Sequence, residues 1–302
     1  MTGRFAPSPS GRMHLGNVFS ALMAWLSAKS QGGEVVLRIE DLDPARSRRE
    51  YAEALMGDLL WLGLPWDRRA EDQSRRGEAY ADAIERLRQQ GLIYRCYCTR
   101  GQLHAASAPH ASDGRVIYAG TCRNLTEVRP GPCCLRVKVP DREIAFVDGV
   151  QGPQSMNLAR EWGDFIVRRA DGVAAYQLAV VVDDAACGVT EVVRGRDLLS
   201  STPAQLWLYE SLGLPAPVFR HVPMLLSSDG RRLSKRDRDM DLGYLRRYQT
   251  PQAVVGALAC AAGLIDRPEP LSPGELLPHF HWSRVRRQDI DARNLEQALA
   301  ET

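Results

Sequence analysis

No stretch of this sequence reaches the roughly 20 consecutive apolar residues that a membrane helix needs. The N-terminus shows no charged-then-apolar leader, because Phe5 already fits a first strand. The expectation is a cytoplasmic protein with no membrane partner. Cysteine is sparse and odd in number: seven, with Cys133 and Cys134 adjacent. In a reducing compartment that pattern argues for thiols or metal ligation and against a disulfide frame. Lysine is scarcer still. Of 39 basic residues only Lys29, Lys138 and Lys235 are lysines, which leaves 36 arginines. A large excess of one charge is also missing. The formal net charge of +2 does not announce a nucleic-acid binder. No internal repeat is visible.

What is present is ordinary in proportion: 302 residues, 44% hydrophobic and 25% charged, enough for two or three domains with real cores. Many arginines fall in pairs, at Arg48-Arg49, Arg68-Arg69, Arg75-Arg76, Arg231-Arg232, Arg246-Arg247 and Arg286-Arg287. Such pairs can contact phosphates, and each is also compatible with a solvated helix face.

The stretch that organises the chain is Arg4-Phe5-Ala6-Pro7-Ser8-Pro9-Ser10-Gly11-Arg12-Met13-His14-Leu15-Gly16-Asn17. A strand fits from about residue 3, breaks at Pro7 and Pro9, and passes through a Ser/Gly loop into a helix near His14. Leu15, Val18, Phe19, Leu22 and Leu26 recur at three- and four-residue spacing, and Gly32-Gly33 stop the helix. A strand, a small-residue loop and a helix N-terminus bring free backbone N–H groups and the positive end of a dipole to one point, which suits a phosphate. His14 can donate there. Gly16, without a side chain, lets a flat ring approach the backbone.

Further on, residues 34–39 read as a buried strand that ends in Glu40-Asp41-Leu42-Asp43. Helices are expected over about 47–62 and 75–90, the second with Ser74 as N-cap and Gly91 at its C-terminal end. Strand–helix–strand–helix order implies a parallel sheet with helices on its faces. The texture changes near residue 93. Short alternating strands over 135–139 and 144–147 suggest a small β-rich insertion. The α/β texture resumes near Asp164 with a strand over 165–169, a hairpin turn at Asp171-Gly172 and an apolar segment over 176–182. Residues 189–195 read as a strand, Ser201-Thr202-Pro203 opens a helix that runs to about Gly213, and 218–226 is a last core strand. From about 241 the pattern is helical only.

Two further groups of residues carry chemistry. Leu233-Ser234-Lys235 stands in a highly charged loop after the last core strand. A Lys ammonium is a compact charge that can follow a phosphate through a reaction, and a Lys in so Arg-rich a chain is not there by habit. Cys96-x-Cys98 and Cys122 offer three thiolates within the insertion, which suits structural Zn²⁺. From the residues alone, the fourth ligand could be Cys133, Cys134, His104 or His110.

His14-Leu15-Gly16-Asn17 resembles the HIGH signature, and Arg232-Leu233-Ser234-Lys235-Arg236 the KMSKS signature, of class I aminoacyl-tRNA synthetases. Arg4-Phe5-Ala6-Pro7-Ser8-Pro9-Ser10-Gly11 and Arg38-Ile39-Glu40-Asp41-Leu42-Asp43 are similar to the corresponding stretches of glutamyl- and glutaminyl-tRNA synthetases. The Cys-x-Cys…Tyr-x-x-x-Cys set at Cys96, Cys98, Tyr118 and Cys122 looks like the zinc site of their short relatives that act on queuosine in tRNA(Asp). The resemblance runs to about residue 250. The chain departs from the signatures at Asn17, where the family has a second His, and at Arg232, where it has a Lys. Asn still donates a hydrogen bond and Arg is still cationic.

The resemblance implies an α/β fold: a Rossmann-type parallel sheet in two halves, 1–92 and 164–240, a zinc-binding β-rich insertion over 93–163, and a short C-terminal helical segment over 241–302 without an anticodon-binding domain. It implies that Arg4, Phe5, Ala6, Pro7, Ser8, Glu40, Tyr176 and Arg194 surround a bound glutamate. It implies that His14, Gly16, Asn17 and Lys235 hold ATP, with His14, Asn17 and Lys235 serving the chemistry and Mg²⁺ accompanying the nucleotide. The zinc ligands would be Cys96, Cys98, Tyr118 and Cys122. The implied activity is ATP-dependent formation of glutamyl-adenylate and transfer of glutamate to queuosine at the wobble position of tRNA(Asp), by a monomer. The alternatives are conventional charging of a tRNA 3′ end, or a catalytically idle paralogue that binds RNA or glutamate.

Overall fold

The structure is a computed structural model that describes residues 1–99, 101–102, 117–227, 230–231, 233 and 241–301. Its first sheet is parallel: β1 (Thr2–Phe5) beside β2 (Glu34–Leu37), and β2 beside β3 (Arg68–Arg69). The crossover from β1 to β2 is α1 (Leu15–Ser30). Leu15, Val18, Phe19, Leu22 and Leu26 of this helix are all buried, as their spacing requires. Gly32, at φ +62°, turns the chain back after the C-cap Gln31. The connection from β2 to β3 holds α2 (Arg49–Trp61), which buries Leu55 and Leu59.

A second body of packing follows. After α3 (Gly77–Gln89), β4 (Ile93–Cys96) pairs antiparallel with β5 (Cys134–Val137). A hairpin of β6 (Glu143–Asp148) and β7 (Gly152–Asn157) comes next, and β8 (Phe165–Arg168) then takes the other edge of β5. The apolar faces of α3, α4 (Tyr176–Ala186) and α5 (Thr202–Leu212) close over this sheet as one buried cluster.

The chain then returns to the first sheet. β9 (Glu191–Gly195) runs parallel to β10 (Val218–Val222) and flanks β1 on the side away from β2. Thr190 N–H donates to Thr2 O at 2.9 Å, and Thr2 N–H to Thr190 Oγ1 at 2.8 Å. The chain thus leaves β1 toward β2 and comes back on its opposite side. In open parallel sheets that reversal is where ligands bind, outside the carboxyl ends of the strands. Beyond β11 (Leu225–Leu226), α6 (Pro251–Ala262), β12 (Ile290–Asp291) and α7 (Ala292–Glu301) pack into the same core as α1.

Several expectations need correction. Ser74 is not the N-cap of α3, which starts after Arg76. Its N–H and hydroxyl instead meet the two carboxylate oxygens of Asp41, at 2.8 and 2.6 Å. The hairpin turn at Asp171-Gly172 does form, with Arg169 N–H donating to Val173 O at 2.8 Å and Arg168 bridged to Ala174, and the apolar segment left unassigned after it is the helix α4. A short apolar run does not by itself distinguish a buried strand from a buried helix. The strand expected over 218–226 breaks at Pro223, which has no N–H to give a ladder. The segment from 241 is not helical only, because β12 pairs in parallel with β11. The sheet of the expected insertion also runs past residue 163, since β8 pairs with β5.

α3 and α4 are joined to the first sheet through one buried carboxylate. Asp183, fully buried, accepts from Gln73 Nε2 at 2.7 Å, Tyr80 OH at 2.8 Å and Arg76 Nε at 2.5 Å, and stands 3.9 Å from Arg38 Nε. Removing one partner from a buried ion network leaves uncompensated charge, a loss of about 3–5 kcal/mol. Asp183→Ala is therefore expected to lower the urea unfolding midpoint strongly. Arg49→Ala removes only the exposed Arg49–Glu53 pair and should leave the midpoint unchanged. Equal midpoints for the two variants would contradict this reading of the joint.

Candidate active site

A pocket of about 520 Å³ opens at the reversal point, between the ends of β1 and β9 and the loop that enters α1. Arg4, Phe5, Ala6, Pro7, Ser8, His14, Gly16, Asn17, Glu40, Tyr176 and Arg194 all line it. These residues come from five separate stretches of sequence. Phe5 turns its ring into the core and is 4% exposed. Lys235 and Arg232 lie outside the described residues.

Where the pocket meets α1, the helix entrance is tied by side chains. His14 is the N-cap of α1, and its Nδ1 accepts from Gly16 N–H at 3.1 Å. Asn17 Oδ1 accepts in return from His14 N–H at 3.3 Å, which completes a capping box. Two consequences follow. An acceptor Nδ1 leaves the imidazole proton on Nε2, so the neutral ring is a donor. Asn17 has a structural job that an imidazole at the same position would have to perform through a ring nitrogen. A Cβ added at Gly16 would lie 3.0 Å from the His14 ring, so the bare backbone at that position also makes room for the capping imidazole.

The pocket wall (Arg4, Glu40, Arg194) and the layer behind it (Arg38, Asp183, Asp184) are charged. Arg4, Arg38 and Arg194 are buried cations; Asp183, Asp184 and Glu40 are buried anions. Asp184 Oδ1 stands 2.5 Å from Arg38 Nη1 and 3.4 Å from Arg4 Nε. Arg38 Nη2 reaches Glu40 Oε1 at 3.0 Å. Burial raises the pKa of Glu40, with Arg38 and Arg4 pulling the other way. Arg4 is the least satisfied of the cations. Its Nη1 donates to Val193 O at 3.3 Å, while its buried Nε has no hydrogen-bond partner. A buried guanidinium with spare donors beside a pocket is a receptor for a carboxylate.

Arg194 is held differently. Its Nε donates to His221 Nε2 at 2.9 Å, Nη1 to Gln205 Oε1 at 2.9 Å, and Nη2 to Thr202 Oγ1 at 2.9 Å and to Leu198 O at 3.4 Å. His221 in turn meets Asp148 Oδ2 through Nδ1 at 2.6 Å. Since Nε2 accepts from Arg194, the imidazole proton is on Nδ1 and donates to Asp148. Burial lowers the pKa of His221 against the pull of Asp148, which keeps the ring neutral beside the guanidinium. Four of the five N–H groups of Arg194 are thus engaged by protein, and one Nη1–H is left for a ligand.

Neither Asp183-Asp184, Arg38 nor the Asp148–His221 pair was singled out from sequence. A signal for the first existed: two adjacent acids close an otherwise apolar run, and read at helical spacing they fall on its buried face. No comparable signal marks His221, which reaches Arg194 only through the pairing of β9 with β10.

About the other candidate site, Cys96, Cys98 and Cys122 have their sulfurs within 4.8 Å of one another. The Sγ atoms of Cys98 and Cys122 are 3.6 Å apart. Tetrahedral zinc with 2.3 Å bonds to sulfur requires roughly 3.8 Å between ligand atoms. The Tyr118 hydroxyl lies 3.5 Å from Cys96 Sγ and 4.0 Å from Cys98 Sγ, and accepts from Cys122 N–H at 2.7 Å. Arg136 covers the Tyr118 ring at 3.8 Å. The four groups fit a metal of this kind. Cys134 instead directs its thiol to Cys96 O at 3.5 Å, and His104 and His110 lie outside the described residues.

Comparison with known proteins agrees with this architecture. The protein-family model for the catalytic domain of class I tRNA synthetases (E and Q) matches residues 1–262. A glutamyl-Q tRNA(Asp) synthetase of Symbiobacterium thermophilum is 50% identical, over 96% of this chain and 95% of that protein. One from Nitratidesulfovibrio vulgaris is 48% identical over 90% and 89%. Among solved structures, a glutamate tRNA ligase from Elizabethkingia meningosepticum, in complex with its amino acid, superposes with a TM-score of 0.84 at 28% identity, covering 99% of this chain and 68% of that one. The chain belongs to the class I tRNA synthetases of the glutamate and glutamine type.

Proposed function

We propose that the protein activates glutamate with ATP and transfers the glutamyl group to queuosine, the modified wobble base of tRNA(Asp). The observation that carries the glutamate part is the buried, incompletely satisfied Arg4 guanidinium opposite Glu40 in one pocket. Glutamate brings two carboxylates and one ammonium; Arg4 and the remaining N–H of Arg194 suit the former, and Glu40 the latter. The acceptor is supported by the names of the relatives that match nearly end to end.

In the first step the α-carboxylate of glutamate attacks the α-phosphate of ATP and pyrophosphate leaves. The Nε2–H of His14 and the Asn17 amide steady the phosphates at the positive end of α1, whose Gly16, Asn17 and Val18 N–H groups are taken up by His14. Lys235 follows the charge that develops toward pyrophosphate, and Mg²⁺ accompanies ATP as its counter-ion. The work is positioning and electrostatics, without a covalent enzyme intermediate. In the second step a hydroxyl of the cyclopentene diol of queuosine attacks the adenylate carbonyl and AMP leaves. The pocket draws its lining from within 1–92 and 164–240, Cys96, Cys98, Tyr118 and Cys122 would hold zinc in the intervening insertion, whose sheet extends to β8, and a C-terminal segment over 241–302 follows.

Labelled glutamate offered with ATP should be transferred to tRNA from cells that make queuosine and not to tRNA from cells that lack it. Equal transfer to both would favour charging of a 3′ end, and no transfer with no glutamate-dependent ATP–pyrophosphate exchange would favour an idle paralogue. Arg4→Ala should raise the KM for glutamate roughly ten- to a hundred-fold, the worth of a hydrogen bond to a charged group, with little change in the KM for ATP. Equal effects on both substrates would remove Arg4 from the amino-acid site. Purified protein should carry about one zinc per chain by elemental analysis, and Cys122→Ser should lose most of it; well under one zinc in the unaltered protein would sink the assignment.

A further inference from the structure

The turn at 241–248 carries a feature that neither activation nor zinc binding uses. Tyr244 and Tyr248 are 44% and 69% exposed, and their rings lie against each other with centroids 5.1 Å apart, tilted by 50°. Large exposed aromatic surface in contact with water is unfavourable, so a paired exposure on a rigid mount calls for an explanation.

The mount is rigid. Leu242 and Leu245, on the opposite side of the turn, are buried in the main core. Arg246 pins it from below: its Nη1 is 2.7 Å from Asp58 Oδ1, and its guanidinium covers the Trp61 ring at 5.1 Å. The i, i+4 spacing then leaves Tyr244 and Tyr248 side by side on the outer face.

The turn also sits against the loop that enters α1. Leu242 N–H donates to Met13 O at 3.0 Å, and Asp241 bridges to His14. Gly243 packs so closely on Arg12 that a Cβ there would lie 2.2 Å from an Arg12 Nη. Arg12 is exposed on that loop. Arg48 is exposed too, and its backbone N–H bonds Pro9 O of the same loop at 3.0 Å. Arg247 is exposed on the turn itself. Three exposed arginines on the loop, on the segment bonded to it and on the turn stand out in a chain whose net charge is only +2.

We propose that Tyr244 and Tyr248 form a stacking platform for a nucleotide that flanks the reacting base in the loop of the RNA substrate, with Arg12, Arg48 and Arg247 facing the adjoining phosphates. This rests on the acceptor reading given above, and extends it by assigning the docking face. Looped RNA offers splayed bases that stack on aromatic side chains while basic groups follow the backbone. A platform fastened to the His14 loop would hold such a loop at the mouth of the pocket, so that the base next to the stacked one reaches the adenylate.

The test measures the Kd for queuosine-containing tRNA(Asp) by filter binding, with neither glutamate nor ATP present, beside tRNA-independent ATP–pyrophosphate exchange. Tyr244→Ala/Tyr248→Ala should weaken tRNA binding roughly ten- to a hundred-fold, the range of one stacked base, and leave exchange unchanged. Tyr248→Trp should retain binding, because the ring and not the hydroxyl is used. Arg247→Ala should weaken binding and reduce its salt dependence. Wild-type affinity in the double-alanine variant would overturn the proposal, as would a loss of exchange in step with binding, which would mark the pair as structural. Failure of the acceptor reading shows separately, as tight binding by the unaltered protein with no glutamyl transfer to queuosine.

Discussion

One carboxylate sets the pocket. Asp184 is 2% exposed and stands at once against Arg38 and Arg4. Three buried guanidiniums around a pocket are tolerable only if anions are buried with them, since an unpaired charge in the interior is far more costly than a paired one. α4 supplies two of those anions in succession, Asp183 turned to α3 and Arg38, Asp184 turned to Arg38 and Arg4. Glu40 supplies the third and closes the ring through Arg38. Arg38 gives Nη1 to Asp184 and Nη2 to Glu40, whereas Arg4 has one protein acceptor, Val193 O, and the proposed substrate carboxylate would complete what the protein leaves incomplete.

The same economy governs the rest of the site. Arg194 has nearly all its donors fixed by Gln205, Thr202, Leu198 and a neutral His221, so it presents one N–H in one direction. His14 and Asn17 spend part of their hydrogen-bonding capacity on capping α1, which fixes the tautomer of the imidazole and the angle at which it meets the pocket. Because β1 feeds directly into this capped loop, the proposed amino-acid and nucleotide sites share one strand–loop–helix unit. The turn at 241–248, hydrogen-bonded to the same loop, adds a third surface to it.

Much of this was legible in the sequence. The helical spacing from Leu15 to Leu26 and the glycines after it fixed α1, and the strand–helix alternation announced the parallel sheet. The pocket residues taken from the signature resemblance all meet in one cavity, apart from Lys235, which the structure does not describe. What could not be read was mostly pairing at long range. Ser74 looked like a cap because a serine before a helix commonly is one, yet Asp41, 33 residues away, captures it. The segment after Asp171-Gly172 is a helix because its neighbours α3 and α5 offer it a helical groove, which local pattern does not reveal. Asp148 and His221 are 73 residues apart and meet only because the β6–β7 hairpin packs beside β10.

The account turns on Arg4 as the receptor for a substrate carboxylate, and a crystal structure of the protein with a non-hydrolysable sulfamoyl analogue of glutamyl-adenylate addresses that most directly. The side-chain carboxylate of the glutamyl group should lie within hydrogen-bond distance of the Arg4 guanidinium, its ammonium against Glu40, and the Asp184–Arg38 contact should be unchanged. A glutamyl group seated away from Arg4, with that guanidinium still turned to Val193 and Asp184 alone, would contradict it.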